Sequence, residues 1–155
     1  MNKVDVRAKL AELGLELPVA AKPVAAYVPA IRTGNLVFTA GQLPLAGGEM
    51  AGVGKVDGEI TPERAKELAQ ICALNCLAAV ETVADVNKIT KIVRVVGYVN
   101  GVAGFIGHPG VVNGASELFI AIWGDGAKHA RSAVGIAELP LNSPVEIELT
   151  VEITD

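Results

Sequence analysis

Arg131 stands in the run Ala130-Arg131-Ser132-Ala133-Val134, directly after Gly124-Asp125-Gly126-Ala127-Lys128-His129. A guanidinium keeps its charge at any accessible pH and offers a planar fork of N–H donors. The fork matches a carboxylate in two parallel hydrogen bonds, and a charge-assisted contact of this kind contributes about 1.5–3 kcal/mol. The competing role is an ion pair with a C-terminal glutamate, and periodicity alone favours it. Glu146, Glu148 and Glu152 alternate with apolar residues and share one strand face. A half-buried carboxylate there can exchange a proton with water or a leaving nitrogen, help worth about 10²–10⁴ in rate. A solvated strand face explains the same pattern. The two histidines, His108 and His129, sit in no readable nucleophile–base arrangement, and His129 lies two residues before Arg131. Tyr27, Gln42, Tyr98, Asn113 and Glu117 are further polar side chains near element ends, each more often structural than catalytic.

Other constellations are weaker. Cys72 and Cys76 are four apart in a helical pattern and read as small buried thiols, with no ligand partners for a metal. Gly54-Lys55 is not a phosphate loop, because Glu49 replaces the first glycine and Val56 the hydroxyl that would hold magnesium.

The elements that must position these groups follow from pattern. Val6, Leu10 and Leu13 predict a helix over residues 4–13, stopped at Gly14. Three prolines make 17–29 extended chain. Residues 30–40 read as strand, Gly34-Asn35 turn, strand, and 46–58 as a loop or loose hairpin. Thr61-Pro62-Glu63 starts a helix running to about Ala84, with a broad face of small residues. Strand 89–99 is followed by a glycine-rich loop over 101–110, a second helix over 111–123, and strands at 130–137 and 145–153. A tight hairpin at 139–144 would set Arg131 opposite Glu148 to Glu152, with Glu146 nearer the turn. This order predicts an α+β domain, 1–155, with helices on one face of a mixed sheet and an N-terminal helical extension over 1–20.

Composition narrows the class. Of 155 residues, 51% are hydrophobic and 19% charged, the net charge is −4, and mean hydropathy is +0.44. Scattered basic residues and an acidic balance argue against nucleic acid as the main partner. No stretch is long enough for a membrane span, and the first residues lack the apolar core of a signal peptide. The expectation is a cytoplasmic homo-oligomer that buries its uncovered sheet face against copies of itself; three sheets closing into a barrel would do so.

Two motifs sharpen this. Tyr27-Val28 with Thr33-Gly34-Asn35-Leu36-Val37-Phe38-Thr39-Ala40-Gly41-Gln42-Leu43-Pro44 resembles the N-terminal motif of the YjgF/RidA family, also called L-PSP endoribonucleases. His129-Ala130-Arg131-Ser132-Ala133-Val134, Leu139-Pro140 and Val145-Glu146-Ile147-Glu148 resemble its C-terminal signature. The resemblance covers roughly residues 23–153. It implies a chorismate-mutase-like (YjgF-like) mixed sheet with two main helices on one face, a homotrimeric barrel core and ligand clefts between subunits. It also implies enamine/imine deaminase activity on 2-aminoacrylate-like intermediates, giving 2-keto acids and ammonia, with no metal or organic cofactor. Arg131 would hold the substrate carboxylate and Glu146 position water; Tyr27, Gly41, Asn113 and Ala133 match other pocket positions. Ala40 and Ala133 depart from the hydroxyl and cysteine common in active members. A small-carboxylate binding protein without turnover, and an endoribonuclease, are the alternative readings.

Overall fold

The computed structural model describes residues 1, 3–22 and 25–154, so Pro23 and Val24 of the proline-rich stretch lie outside the described residues. The first helix, α1 (Val6–Glu12), is capped by Asp5, whose side chain accepts from the Ala8 N–H, and Gly14 leaves it with φ of +72°. Val6 and Leu10 are fully buried against the domain core. The rest of the chain to Pro29 carries no regular element among the described residues.

Strands β1 (Ala30–Thr33) and β2 (Leu36–Thr39) form the hairpin that Gly34-Asn35 predicts. The loose segment contains a two-residue hairpin, β3 (Leu45–Ala46) and β4 (Glu49–Met50), turning at Gly47-Gly48. Helix α2 (Pro62–Glu81) starts where expected, with Thr61 Oγ1 accepting from the Arg64 N–H at 3.1 Å, and stops three residues short of Ala84. Strand β5 (Ile89–Val99) matches its pattern. Helix α3 (His108–Trp123) begins three residues before the expected Val111, because Pro109 lies in the first turn, where its missing N–H leaves no bond unmade. Strand β6 (Ala130–Gly135) ends two residues early, and β7 (Val145–Ile153) has the expected bounds.

The main sheet has the order β1-β2-β7-β5-β6, with β5 and β6 parallel and the other pairs antiparallel. This overturns the tight β6–β7 hairpin. Strand β5 lies between them, so Arg131 neighbours Val95, which in turn neighbours Leu149. Parallel strands need a crossover, and α3 supplies it. Both long helices pack on one sheet face, over Val95, Val99, Ile147, Leu149 and Val151, all at most 1% exposed. The other face carries Glu146, Glu148, Thr150 and Glu152 of β7, Val96 and Tyr98 of β5, and exposed Ile31 and Phe38.

The helices reach that arrangement through Gly114. A Cβ there would collide with the Lys66 carbonyl oxygen, so only glycine lets α3 lie this close to α2. Cys72 and Cys76 are buried and free on α2, donating to the Val145 and Ile147 carbonyls at 3.7 and 3.3 Å, and burial raises both thiol pKa values. They are core residues, as the spacing predicts. Replacing Gly114 by alanine should destabilise the fold by about 2–3 kcal/mol in chemical denaturation, the cost of overpacking. Gly110→Ala, on the same helix with open space around its position, should be neutral or slightly stabilising.

Candidate functional site

Helix α3 leaves the C-terminal end of β5, returns across the sheet, and hands the chain to β6 through a short 3-10 turn, Gly124–Ala127. This crossover brings the polar side chains of α3 over the edge strand. Arg131 lies near the start of β6 with its side chain toward α3. Its Nη1 donates to Asn113 Oδ1 at 2.8 Å and to Ser116 Oγ at 3.2 Å, and its Nη2 to the Pro109 carbonyl at 3.5 Å. All three acceptors are neutral. Among the described residues no carboxylate lies within ion-pair distance of Arg131, so the expected competing role, a pair with a C-terminal glutamate, is absent. Three neutral oxygens aim the guanidinium while leaving its charge uncompensated.

His129 extends this network. Its Nδ1 lies 2.7 Å from the Ala127 carbonyl, which only accepts, so Nδ1 carries the proton in the neutral ring. Its Nε2, 2.9 Å from Ser116 Oγ, then accepts from that hydroxyl, and Ser116 Oγ accepts from Arg131. Burial first, and the Arg131 charge second, lower the His129 pKa below its ordinary value, so the neutral ring is the form present at pH 7. A recess of about 190 Å³ opens onto Ser116, Ile120, Lys128, His129 and Arg131. A larger groove, of about 350 Å³, lies on the outer helical surface beside Leu13, Lys66 and Glu117, where Lys66 and Glu117 already pair at 2.8 Å. The smaller recess is the better candidate, because an unpaired cation faces it.

Ala133 follows Arg131 on the same face of β6, half-buried against the core. Two residues further, Gly135 has no side chain to contend with the His108 imidazole, which occupies the space its Cβ would need. Arg131 and Asn113 are thus in hydrogen-bond contact, and Ala133 lies on the same strand face as Arg131. Ser116 and His129 join them. Sequence reading left His129 unassigned and did not single out Ser116, since the two stand 13 residues apart and meet only because the turn after α3 reverses the chain.

Glu146 belongs to a second cluster. It projects from the uncovered face of β7, opposite Tyr98 in register and next to Glu148 on the same face. Its carboxylate lies against Gly41, occupying the volume a Cβ at Gly41 would take. The Gly41 segment is held there by reciprocal bonds between Gln42 and Ile147, and by Asn75 Nδ2 donating to the Leu43 and Leu45 carbonyls at 2.9 and 3.0 Å. Burial, then the charge of Glu148, raises the Glu146 pKa; burial, then Glu148, raises that of Tyr98. Tyr27, 53% exposed, lies in the segment entering β1, the sheet edge opposite β6. One chain thus carries two groups on opposite faces of its sheet. Arg131 and Ala133 face the helices, where Asn113 of α3 meets Arg131; Glu146 and Gly41 border the open side.

A mixed sheet with both long helices on one face makes this an α+β protein. The chain belongs to the family described as "YjgF/chorismate_mutase-like, putative endoribonuclease", whose model matches residues 7–153 and so includes nearly all of α1. Protein TCP17 of Trypanosoma cruzi is 33% identical over 97% of this chain and 95% of its own. The crystal structure of Atu1372 from Agrobacterium tumefaciens, a protein of unknown function, is 40% identical with a TM-score of 0.88, covering 96% of this chain and 92% of that one. A structure from Shewanella oneidensis MR-1, described as a "putative endoribonuclease", is 28% identical with a TM-score of 0.89, covering 94% of this chain and 97% of that one. No helix among the described residues is long and apolar enough to cross a membrane.

The Glu146 environment makes a direct prediction. A carboxyl whose folded pKa is raised favours folding while protonated and loses that benefit as pH rises through the folded value. Glu146→Gln should therefore raise the thermal midpoint at pH 7–8, with the gain vanishing as pH falls below the ordinary carboxyl value of 4.5. Parallel melting curves of both proteins across that range check the sign.

Proposed function

We propose that Arg131 is the anchor for a small carboxylate, and that the reaction served is hydrolysis of reactive enamines and imines to 2-keto acids and ammonia. The observation that carries this reading is the uncompensated guanidinium, oriented by Asn113, Ser116 and the Pro109 carbonyl. Holding three neutral acceptors, it still has N–H donors for a ligand, and an anion would supply the missing charge.

The chemistry asks little more of the protein. An imine is electrophilic once formed, so orientation and a well-placed water suffice. Glu146 is the proposed partner for that water. Its raised pKa brings it nearer the range in which it can both accept and return a proton. Because Glu146 and Arg131 lie on opposite faces, we infer that the site is completed by a neighbouring copy, whose open face brings Glu146, Gly41 and Tyr27 to the Arg131 edge. The exposed Ile31, Phe38 and Val134 on or beside that face support burial against further copies, and a closed trimer accommodates all three equivalent sites. Ala133 leaves more room beside the anchor than a larger residue would.

RNA cleavage fits less well. The net charge of −4 and the row Glu146, Glu148 and Glu152 oppose approach of a phosphate backbone. The test is ammonia release from 2-aminoacrylate generated in situ. Wild-type protein should accelerate it over buffer, and Arg131→Ala should lose about ten- to a hundredfold in kcat/KM, the equivalent of the charge-assisted contact. Equal rates with and without wild-type protein would refute the enzymatic reading. Thermal stabilisation by keto acids without turnover would favour a binding protein instead.

A further inference from the structure

Ser116 and His129 form one hydrogen-bonded chain with Arg131. In the neutral ring, the Ser116 hydroxyl hydrogen is committed to His129 Nε2, and Ser116 Oγ is committed to Arg131. The hydroxyl borders the recess yet offers it no donor. Protonation of Nε2 reverses this. The ring then donates to Ser116 Oγ through Nε2 while Nδ1 keeps its bond to the Ala127 carbonyl, and the hydroxyl hydrogen is freed to turn into the recess.

We propose that Ser116 and His129 make Arg131 a proton-linked anion site: a small carboxylate bound at Arg131 draws one proton from solvent onto His129 Nε2, and the Ser116 hydroxyl turns from the imidazole to the ligand. The inference rests on the reading of Arg131 as a carboxylate anchor and adds to it a donor and a second positive charge. It assigns a positioning role to His129, acting through Ser116.

The surrounding charges permit the linkage. On the His129 side, Arg131 is the charge that opposes protonation, and a bound carboxylate neutralises it. Lys128 is held by Asp125 of the preceding turn at 3.0 Å. From α3, Ser116 and the Phe119 ring face the imidazole, the latter edge-on at 6.1 Å, while Glu117 is engaged by Lys66. From β5, Arg94 is turned to Ser132 on the other face of the sheet. The N-terminal ammonium, near Gly126, donates to the Thr90 carbonyl.

The sign follows by reciprocity. If carboxylate binding raises the His129 pKa, then protonation raises carboxylate affinity by the same factor. Affinity should climb as pH falls through the interval between the free and bound His129 values, by at most about tenfold per pH unit for one proton, and level off on either side.

Calorimetry with pyruvate as the probe, across roughly pH 5–8 and in two buffers of different ionisation enthalpy, reads this directly. The expected result is uptake approaching one proton per pyruvate, with the His129 ring resonance of wild-type protein titrating at higher pH once pyruvate is bound. His129→Gln should bind pyruvate with a flat pH profile. Pyruvate binding by wild-type protein without proton uptake, or a pH slope that survives in His129→Gln, overturns the linkage and leaves the anchor standing. No pyruvate binding by wild-type protein at any pH overturns the anchor and the linkage together.

Discussion

The close approach of α3 to α2 at Gly114 governs where everything else lies. With no side chain between the α3 backbone and the Lys66 carbonyl, the two helices fit side by side over a single face of the sheet. Their packing buries the apolar side of β7 and β5. It also sets the first half of α3 over the edge strand β6, within reach of Arg131. The same packing leaves the second face without helices. The half-covered sheet, the aimed arginine and the half-buried glutamates are three results of one arrangement.

Charge follows from that geometry. Arg131 sits at an edge among neutral oxygens, where no acid among the described residues compensates it, and burial first and the Arg131 charge second lower the pKa of His129. Glu146 sits on the open face, packed over Gly41 beside Glu148, where burial and a like charge push its pKa up. Each group is left in a state that an opposite charge or a proton would relieve. Within one chain they cannot relieve each other, because the sheet separates them. In the proposed assembly, a ligand between two copies would meet both.

Much of this was legible from the residues. The strict alternation of Val145–Ile153 gave β7 to the residue, Thr61-Pro62 fixed the start of α2, and Gly34-Asn35 marked the first hairpin. Arg131 and Asn113, which the family motif names, are in hydrogen-bond contact, and Ala133 lies on the same face of β6 as Arg131. What sequence reading missed was long-range. Leu139 to Pro144 looked like a tight connection, but nothing local says that β5 will insert between β6 and β7. Gly107-His108-Pro109-Gly110 resembled loop, since a helix start with two glycines and no side-chain cap has no strong signature. The face on which Glu146 lies relative to Arg131 depends on that inserted strand, so register arguments built on a hairpin could not recover it.

Subunit complementation tests the division of the site most directly. Arg131→Ala and Glu146→Gln variants, each assayed alone for its residual deamination of 2-aminoacrylate, are unfolded together, refolded as mixed oligomers and assayed above that residual rate. If each site takes Arg131 from one copy and Glu146 from its neighbour, about a quarter of the sites in an equal mixture are intact, and about a quarter of the wild-type rate returns. Verified mixed oligomers that show no recovery would contradict the account, since they would place both residues of every site within one chain.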